Sequence, residues 1–240
     1  MILGKMWLWI ISSSILAAYK PPENEETIMS KLPGATFNSN KLRQLISKDV
    51  EKFPKFARVH VILGLGGNDL FPGRLIRNQN LHHHTGKFKT NLPQSLKEFK
   101  ELVVMIENTL EKQDITYNIS FFPLLPRVDK KCCNIGLNYP YEESLVIIRS
   151  FEMQLKQLHV CRIFELHKCI ARFTKEKKIP LETMQIENPK KLNLRMIFNK
   201  NYNKVKFFRK FQRSFFAPDQ IHLGKYGNDF VNNTIDFITS

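Results

Sequence analysis

The 240-residue sequence predicts a three-layer α/β domain, in which helices cover both faces of a central, mostly parallel sheet of about five strands. Short apolar runs alternate along the chain with segments whose apolar residues recur every three or four positions. Strands that alternate with helices in this way pair in parallel. The best strand candidate, "VHVILGL" at 59–65, is almost continuously apolar rather than alternating, as a strand buried on both faces must be. At 42% hydrophobic and 11% aromatic, the chain can bury the core such a sheet needs. It reads as one domain, 1–240, with an irregular insertion around 179–203, where Pro180 and Pro189 break a stretch of mixed polarity.

The first strand candidate is Met6 to Ile11, followed by Ser12-Ser13-Ser14. A secretory signal is the competing reading of this stretch, with Lys5 as its charged end and Ala17-Ala18 near a cleavage site. Its apolar core is shorter than the roughly 7–15 residues of such signals. The preferred reading is therefore strand, turn and helix start. Ile28-Met29 marks a second short strand, ended by the turn residues Pro33-Gly34. Lys41 to Val50 is predicted helical, with Leu42, Leu45, Ile46 and Val50 on one face. After the strand ended by Gly66-Gly67 comes a long loop, 71–93. A capping box, Ser95 to Glu98, then opens a helix carrying Leu96, Phe99, Leu102, Val103, Ile106 and Leu110. Residues 114–122 form the next strand, stopped by Pro123. Residues 142–178 read as helical, 205–208 as a last strand, and 226–238 as the final helix.

No apolar run approaches the ~20 residues of a membrane span. The formal charge of +15 favours polyanionic partners, nucleic acid among them. The four cysteines, 132, 133, 161 and 169, have neither a zinc-ribbon nor a disulfide-scaffold spacing. They point to reduced thiols in an intracellular chain, cytoplasmic or nuclear. His82-His83-His84 reads as an exposed loop triplet, and no metal site is assigned. In 203–216, five cations alternate with phenylalanines. That composition suits single-stranded nucleic acid. It equally suits a core strand with a solvated basic face, which is the preferred reading.

In an open parallel sheet, ligands sit beyond the carboxyl ends of the strands. The residues that follow the strands are Ser12 to Ser14, Pro33 to Thr36, Gly66 to Asp69 and, before the last helix, "APDQIHL" with Asp219 and His222. A serine, a glycine N–H, an asparagine amide, a histidine and a carboxylate at one edge suffice for acyl transfer.

These blocks resemble those of the SGNH (GDSL-type) hydrolase superfamily, most closely the esterase-like domains found in animal retroelement-related proteins. "GGNDL", 66–70, is similar to the G-x-N-D block, and "PDQIHLGKYG", 218–227, to the D-x-x-H block. "LPGATF", 32–37, is similar to the glycine block, and "PLLPRV", 123–128, to the end of the fourth strand. The resemblance implies a flavodoxin-like, SGNH-type fold and a serine esterase without metal or cofactor, acting on a small ester or acetylated substrate. It places the nucleophile at Ser14, the base at His222 and its orienting carboxylate at Asp219. The oxyanion hole falls on the N–H groups of Ser14 and Gly34 and the amide of Asn68, with Asp69 as loop support. Ser12 and Ser13 stand where the family has Gly-Asp. Serine at 12 is expected to resist a bend that glycine accommodates through φ > 0, and Ser13 supplies no carboxylate. The alternative function is a catalytically weak or inactive domain of this fold, retained as a basic nucleic-acid-associated module.

Overall fold

The computed structural model of the protein describes residues 6–16, 19–23, 26–71, 91–125, 141–176 and 223–240. Five strands form one sheet: β1 (Met6–Ser12), β2 (Thr27–Lys31), β3 (Arg58–Gly64), β4 (Thr116–Phe121) and β5 (Arg162–Ile163). All four pairings are parallel, in the spatial order β2-β1-β3-β4-β5. The helices are α1 (Asn40–Val50), the single turn α2 (Gly67–Leu70), α3 (Leu92–Glu111), α4 (Tyr141–Leu158), α5 (Leu166–Glu176) and α6 (Lys225–Thr239). The expected three-layer, flavodoxin-like architecture is present.

Successive residues of a strand point to opposite faces, and the end of β4 shows both layers. Phe121 packs edge-on against Phe99 of α3 and Phe151 of α4. Its neighbour Phe122 packs against Phe230 of α6, which also meets Phe173 of α5. Trp9, Ile10 and Ile11 of β1, an interior strand rather than the middle one, are fully buried, with Val61, Ile62 and Leu63 beside them on the central strand β3.

Three sequence expectations need correction. The helix read across 142–178 is interrupted: α4 stops at Leu158, His159 takes a left-handed φ of 52°, and β5 intervenes before α5. The capping box at Ser95 is not used. Asn91 caps α3 instead, accepting the Gln94 N–H at 3.2 Å, and Pro93 occupies the first turn, where a missing N–H is harmless. Ser95 is buried inside the helix. Thirdly, Ile15 and Leu16 form a turn rather than a helix start. The candidate strand 205–208, the insertion around 179–203 and Cys132-Cys133 lie outside the described residues.

A buried polar chain ties β1, β2 and α1 together. Trp9 Nε1 donates to Ser30 Oγ (2.8 Å), which donates to Asp49 Oδ2 (2.6 Å), and Lys52 pairs with the other carboxylate oxygen. Ser30→Ala leaves an indole N–H and a carboxylate oxygen buried without partners. Each orphan costs about 1–3 kcal/mol. The variant is expected to lose about 2–6 kcal/mol, seen as a lower urea midpoint at unchanged m-value. A loss under about 0.5 kcal/mol would show that the chain of bonds contributes nothing.

Candidate active site

The three loops that leave β1, β2 and β3 meet at the carboxyl edge, where the strand order 2-1-3 reverses direction beside β1. Such a switch point opens a crevice for ligands. Backbone bonds fasten the loops together. The Ser12 carbonyl accepts the Leu32 N–H at 3.0 Å, and the Ser13 N–H donates to the Gly64 carbonyl at 3.3 Å. Ser12 Oγ donates to the Ser13 carbonyl at 3.0 Å. Ser12 and Ser13 are buried, whereas Ser14, one residue further from the strand, is half-buried.

The strain expected at Ser12 is absent. The described non-glycine residues with positive φ are Phe56, Asp114 and His159, so the turn from Ser12 to Ser14 is made in ordinary backbone conformations. The close approach is accommodated on the neighbouring strand. A Cβ at Gly64 would lie 2.3 Å from Leu16 Cδ1, so glycine there lets the 13–16 turn settle on β3.

After β2, Leu32-Pro33-Gly34-Ala35 closes with the Ala35 N–H on the Leu32 carbonyl at 3.1 Å. Proline at the second position and Gly34 at φ 77° make it a type II turn, which needs glycine at its third position. Residues 35 to 37 are then clamped by α2. Asn68 Nδ2 donates to the Ala35 carbonyl at 3.0 Å, and Asp69 Oδ1 accepts the Phe37 N–H at 2.9 Å. The Phe37 ring is buried against Phe99 and Phe151. Burial pushes the Asp69 carboxyl up to about 7. The Phe37 N–H works against that rise, and the nearby Glu98 adds to it.

Ser14, Gly34, Asn68 and Asp69 thus come from three loops bonded into one cluster. His222, Asp219 and His82 to His84 lie outside the described residues. Among the described histidines, His60 is bonded to Ser120 in the core (2.8 Å) and kept neutral by burial and by Arg162, and His159 sits at the opposite edge, ahead of β5. No group of metal-ligating side chains occurs among the described residues, and no helix there is long and apolar enough to cross a membrane.

Sequence reading missed one ionic cluster. Just beyond β5, buried Glu165 meets Arg149 (2.5 Å), His167 (3.2 Å), Lys168 (3.1 Å) and Lys156. Beside it Glu152, pushed up to about 7 by burial, accepts the Leu166 N–H that begins α5. Inspecting the residue after each strand would have found Glu165, but β5 was hidden inside a helical pattern. The Glu165–His167 pair imitates a base and its orienting carboxylate. However, β5 stands three strand spacings, about 14 Å, from β1, and Glu165 is committed to three cations. The cluster closes the far side of the sheet.

Sheet order and layering together define the class: a three-layer, flavodoxin-like α/β domain. No family model matches the sequence, and no curated protein is similar to it. Among solved structures, the chain is similar to a Streptococcus pneumonia protein provisionally described as a platelet activating factor. The TM-score is 0.57 at 12% identity, with 100% of this chain and 86% of the other covered. It is also similar to a carbohydrate acetylesterase from Sinorhizobium meliloti, with a TM-score of 0.53 at 10% identity and coverage of 98% and 99%. At such identities the likeness is one of fold.

Proposed function

We propose that the protein is a serine esterase that cleaves a small ester or acetyl group without metal or cofactor. One observation carries this reading: a half-buried serine stands just past β1, at the switch point, beside hydrogen-bonded loops that bear Gly34 and Asn68. Ser14 Oγ attacks the substrate carbonyl while His222 takes its proton, and Asp219 orients and stabilises the imidazolium. The N–H groups of Ser14 and Gly34 and the Asn68 amide receive the oxyanion. Collapse expels the alcohol, which takes the proton from His222. Water, deprotonated by the same histidine, then releases the acid from Ser14.

Two further points support the roles of Asp219 and His222. In the sequence, His222 precedes Lys225, the first residue of α6, by three positions. Phe230 of α6 packs on Phe122, just past the carboxyl end of β4, which holds that helix near the same edge. The acetyl preference comes from the fold shared with a carbohydrate acetylesterase. The closer kinship to retroelement-related esterase domains comes from the sequence blocks alone.

A fluorophosphonate probe tests the assignment. The purified protein is expected to be labelled at Ser14, as mapped by peptide mass spectrometry, with labelling slowed by a short p-nitrophenyl ester. A folded protein left unlabelled, or labelled at another serine, refutes it. The +15 charge then favours the second reading, a basic nucleic-acid-associated module, whose gel-shift affinity should fall steeply with added salt.

A further inference from the structure

We propose that Asp69 is a positioning residue that locks the Gly34 turn onto α2 only while its carboxyl is uncharged, so that alkaline pH releases the candidate oxyanion loop. The inference rests on the esterase reading for its catalytic consequence, but not for the lock itself.

The geometry is a two-point clamp. Asn68 and Asp69 are consecutive residues, and each holds one backbone group of the same loop, on either side of Thr36. Asn68 donates to the Ala35 carbonyl (3.0 Å) and Asp69 accepts from the Phe37 N–H (2.9 Å). Gly34 lies one residue before the first clamped group, the Ala35 carbonyl. The second oxygen of Asp69, Oδ2, is buried without a hydrogen-bond partner.

Among the described residues, the charges around Asp69 disfavour an anion. The loop from 32 to 38 has no ionisable side chain. From α3 the facing charge is Glu98, itself held by Gln94 Nε2 (2.7 Å) and Asn38 Nδ2 (3.4 Å). Among the described residues Asp69 makes no ion pair. An ionised Asp69 would hold the Phe37 N–H and its own N–H, but would face a like charge and keep a charged oxygen out of water. A neutral carboxyl keeps the Phe37 bond through its carbonyl oxygen and leaves only a hydroxyl unpaired, a far smaller penalty. Burial accordingly raises the group to about 7.

The sign follows from that direction. The folded value lies above the ordinary carboxylate value of 3.8, so the protonated form favours folding. Its contribution is complete below about pH 4 and is lost as pH rises through about 7. Above that, hydration of the charged Oδ2 outweighs the Phe37 N–H bond, which by itself favours the anion, and the clamp loses one of its two points. Catalysis through the usual serine mechanism fails on the acid side, where histidine protonates. Loss on the alkaline side is the distinctive signature of the lock.

The test is an NMR titration of the full chain, following the Asp69 carboxyl carbon and the Phe37 amide. Both are expected to change with one midpoint near 7. In Asp69→Asn, whose amide oxygen still accepts the Phe37 N–H, the Phe37 amide should not titrate over this range. The p-nitrophenyl ester turnover of the wild type should drop about tenfold between pH 6.5 and 9. That is part of the ~10² expected for losing an oxyanion donor outright. The ratio of rates at the two pH values should stay near one in Asp69→Asn. A carboxyl midpoint near 4, or a Phe37 amide that ignores it, overturns the proposal. If Asp69→Asn does not fold, the wild-type titration decides alone. Absence of turnover at every pH, with both midpoints still near 7, would remove the esterase reading and leave the lock standing.

Discussion

Ser14→Ala is expected to lower turnover of a short p-nitrophenyl ester by roughly 10³-fold or more while leaving the fold intact. The hydroxyl supplies the covalent intermediate, and without it only binding and oxyanion stabilisation remain. Ser14 is half-buried, outside the fastened pair Ser12-Ser13, and none of the bonds that hold the three loops together uses its side chain. Thermal unfolding should therefore shift by no more than a degree or two. Asn68→Ala should cost ~10²–10³ in kcat, as for one oxyanion donor. It should also lose some stability, because its amide ties Ala35. A Ser14→Ala protein that keeps a tenth of the wild-type rate would end the assignment of the nucleophile. The split between the two variants, one silent in stability and one not, separates chemistry from scaffolding.

The second large effect concerns β1. Removing residues 1–12 should leave the chain insoluble or without cooperative unfolding. Among the described strands, β1 alone is bonded to both β2 and β3, so its loss divides the sheet. Leu8, Trp9, Ile10 and Ile11 are all buried. At about 1.5–3 kcal/mol for each such side chain, they account for roughly 6–12 kcal/mol, as much as the about 5–15 kcal/mol by which domains are stable. Trp9→Ala is the gentler version, at about 3–5 kcal/mol. Near-ultraviolet circular dichroism and urea unfolding would measure both. A truncated protein that stays soluble with native aromatic signals would show that the sheet does not depend on β1.

The elements legible in the sequence were those whose burial pattern is periodic and uninterrupted. β3 and β4 are dense in β-branched and aromatic residues, and the apolar faces of α1, α3 and α6 repeat at helical spacing over three turns or more. β5 was not legible. It has two residues, and Leu155, Leu158, Ile163 and Leu166 keep a spacing close enough to helical to carry the pattern across it. What breaks the helix is a left-handed His159 and pairing to Ser120 and Phe121, which are 40 residues or more away in sequence. The start of α3 was misread for a related reason. Two local caps competed, and proline near Asn91 decided between them.

At the candidate site, the positions were legible and the couplings were not. Order and spacing along the chain suffice to put Ser14, Gly34 and Asn68 after β1, β2 and β3, because parallel strands deliver their carboxyl ends to one edge. The concern at Ser12 came from treating its bend as local. The structure relieves it through Gly64 on the adjacent strand, a residue 52 positions away. By itself, then, the sequence determined the layered α/β class, most of its elements and the edge where chemistry would gather, since these follow from hydrophobic periodicity and strand direction. The tertiary structure alone decided the strand order, the clamp of Asn68 and Asp69 on Ala35 and Phe37, and the raised proton affinity of Asp69. Those depend on which distant groups exclude water from a side chain and which charges face it, and no local spacing encodes that.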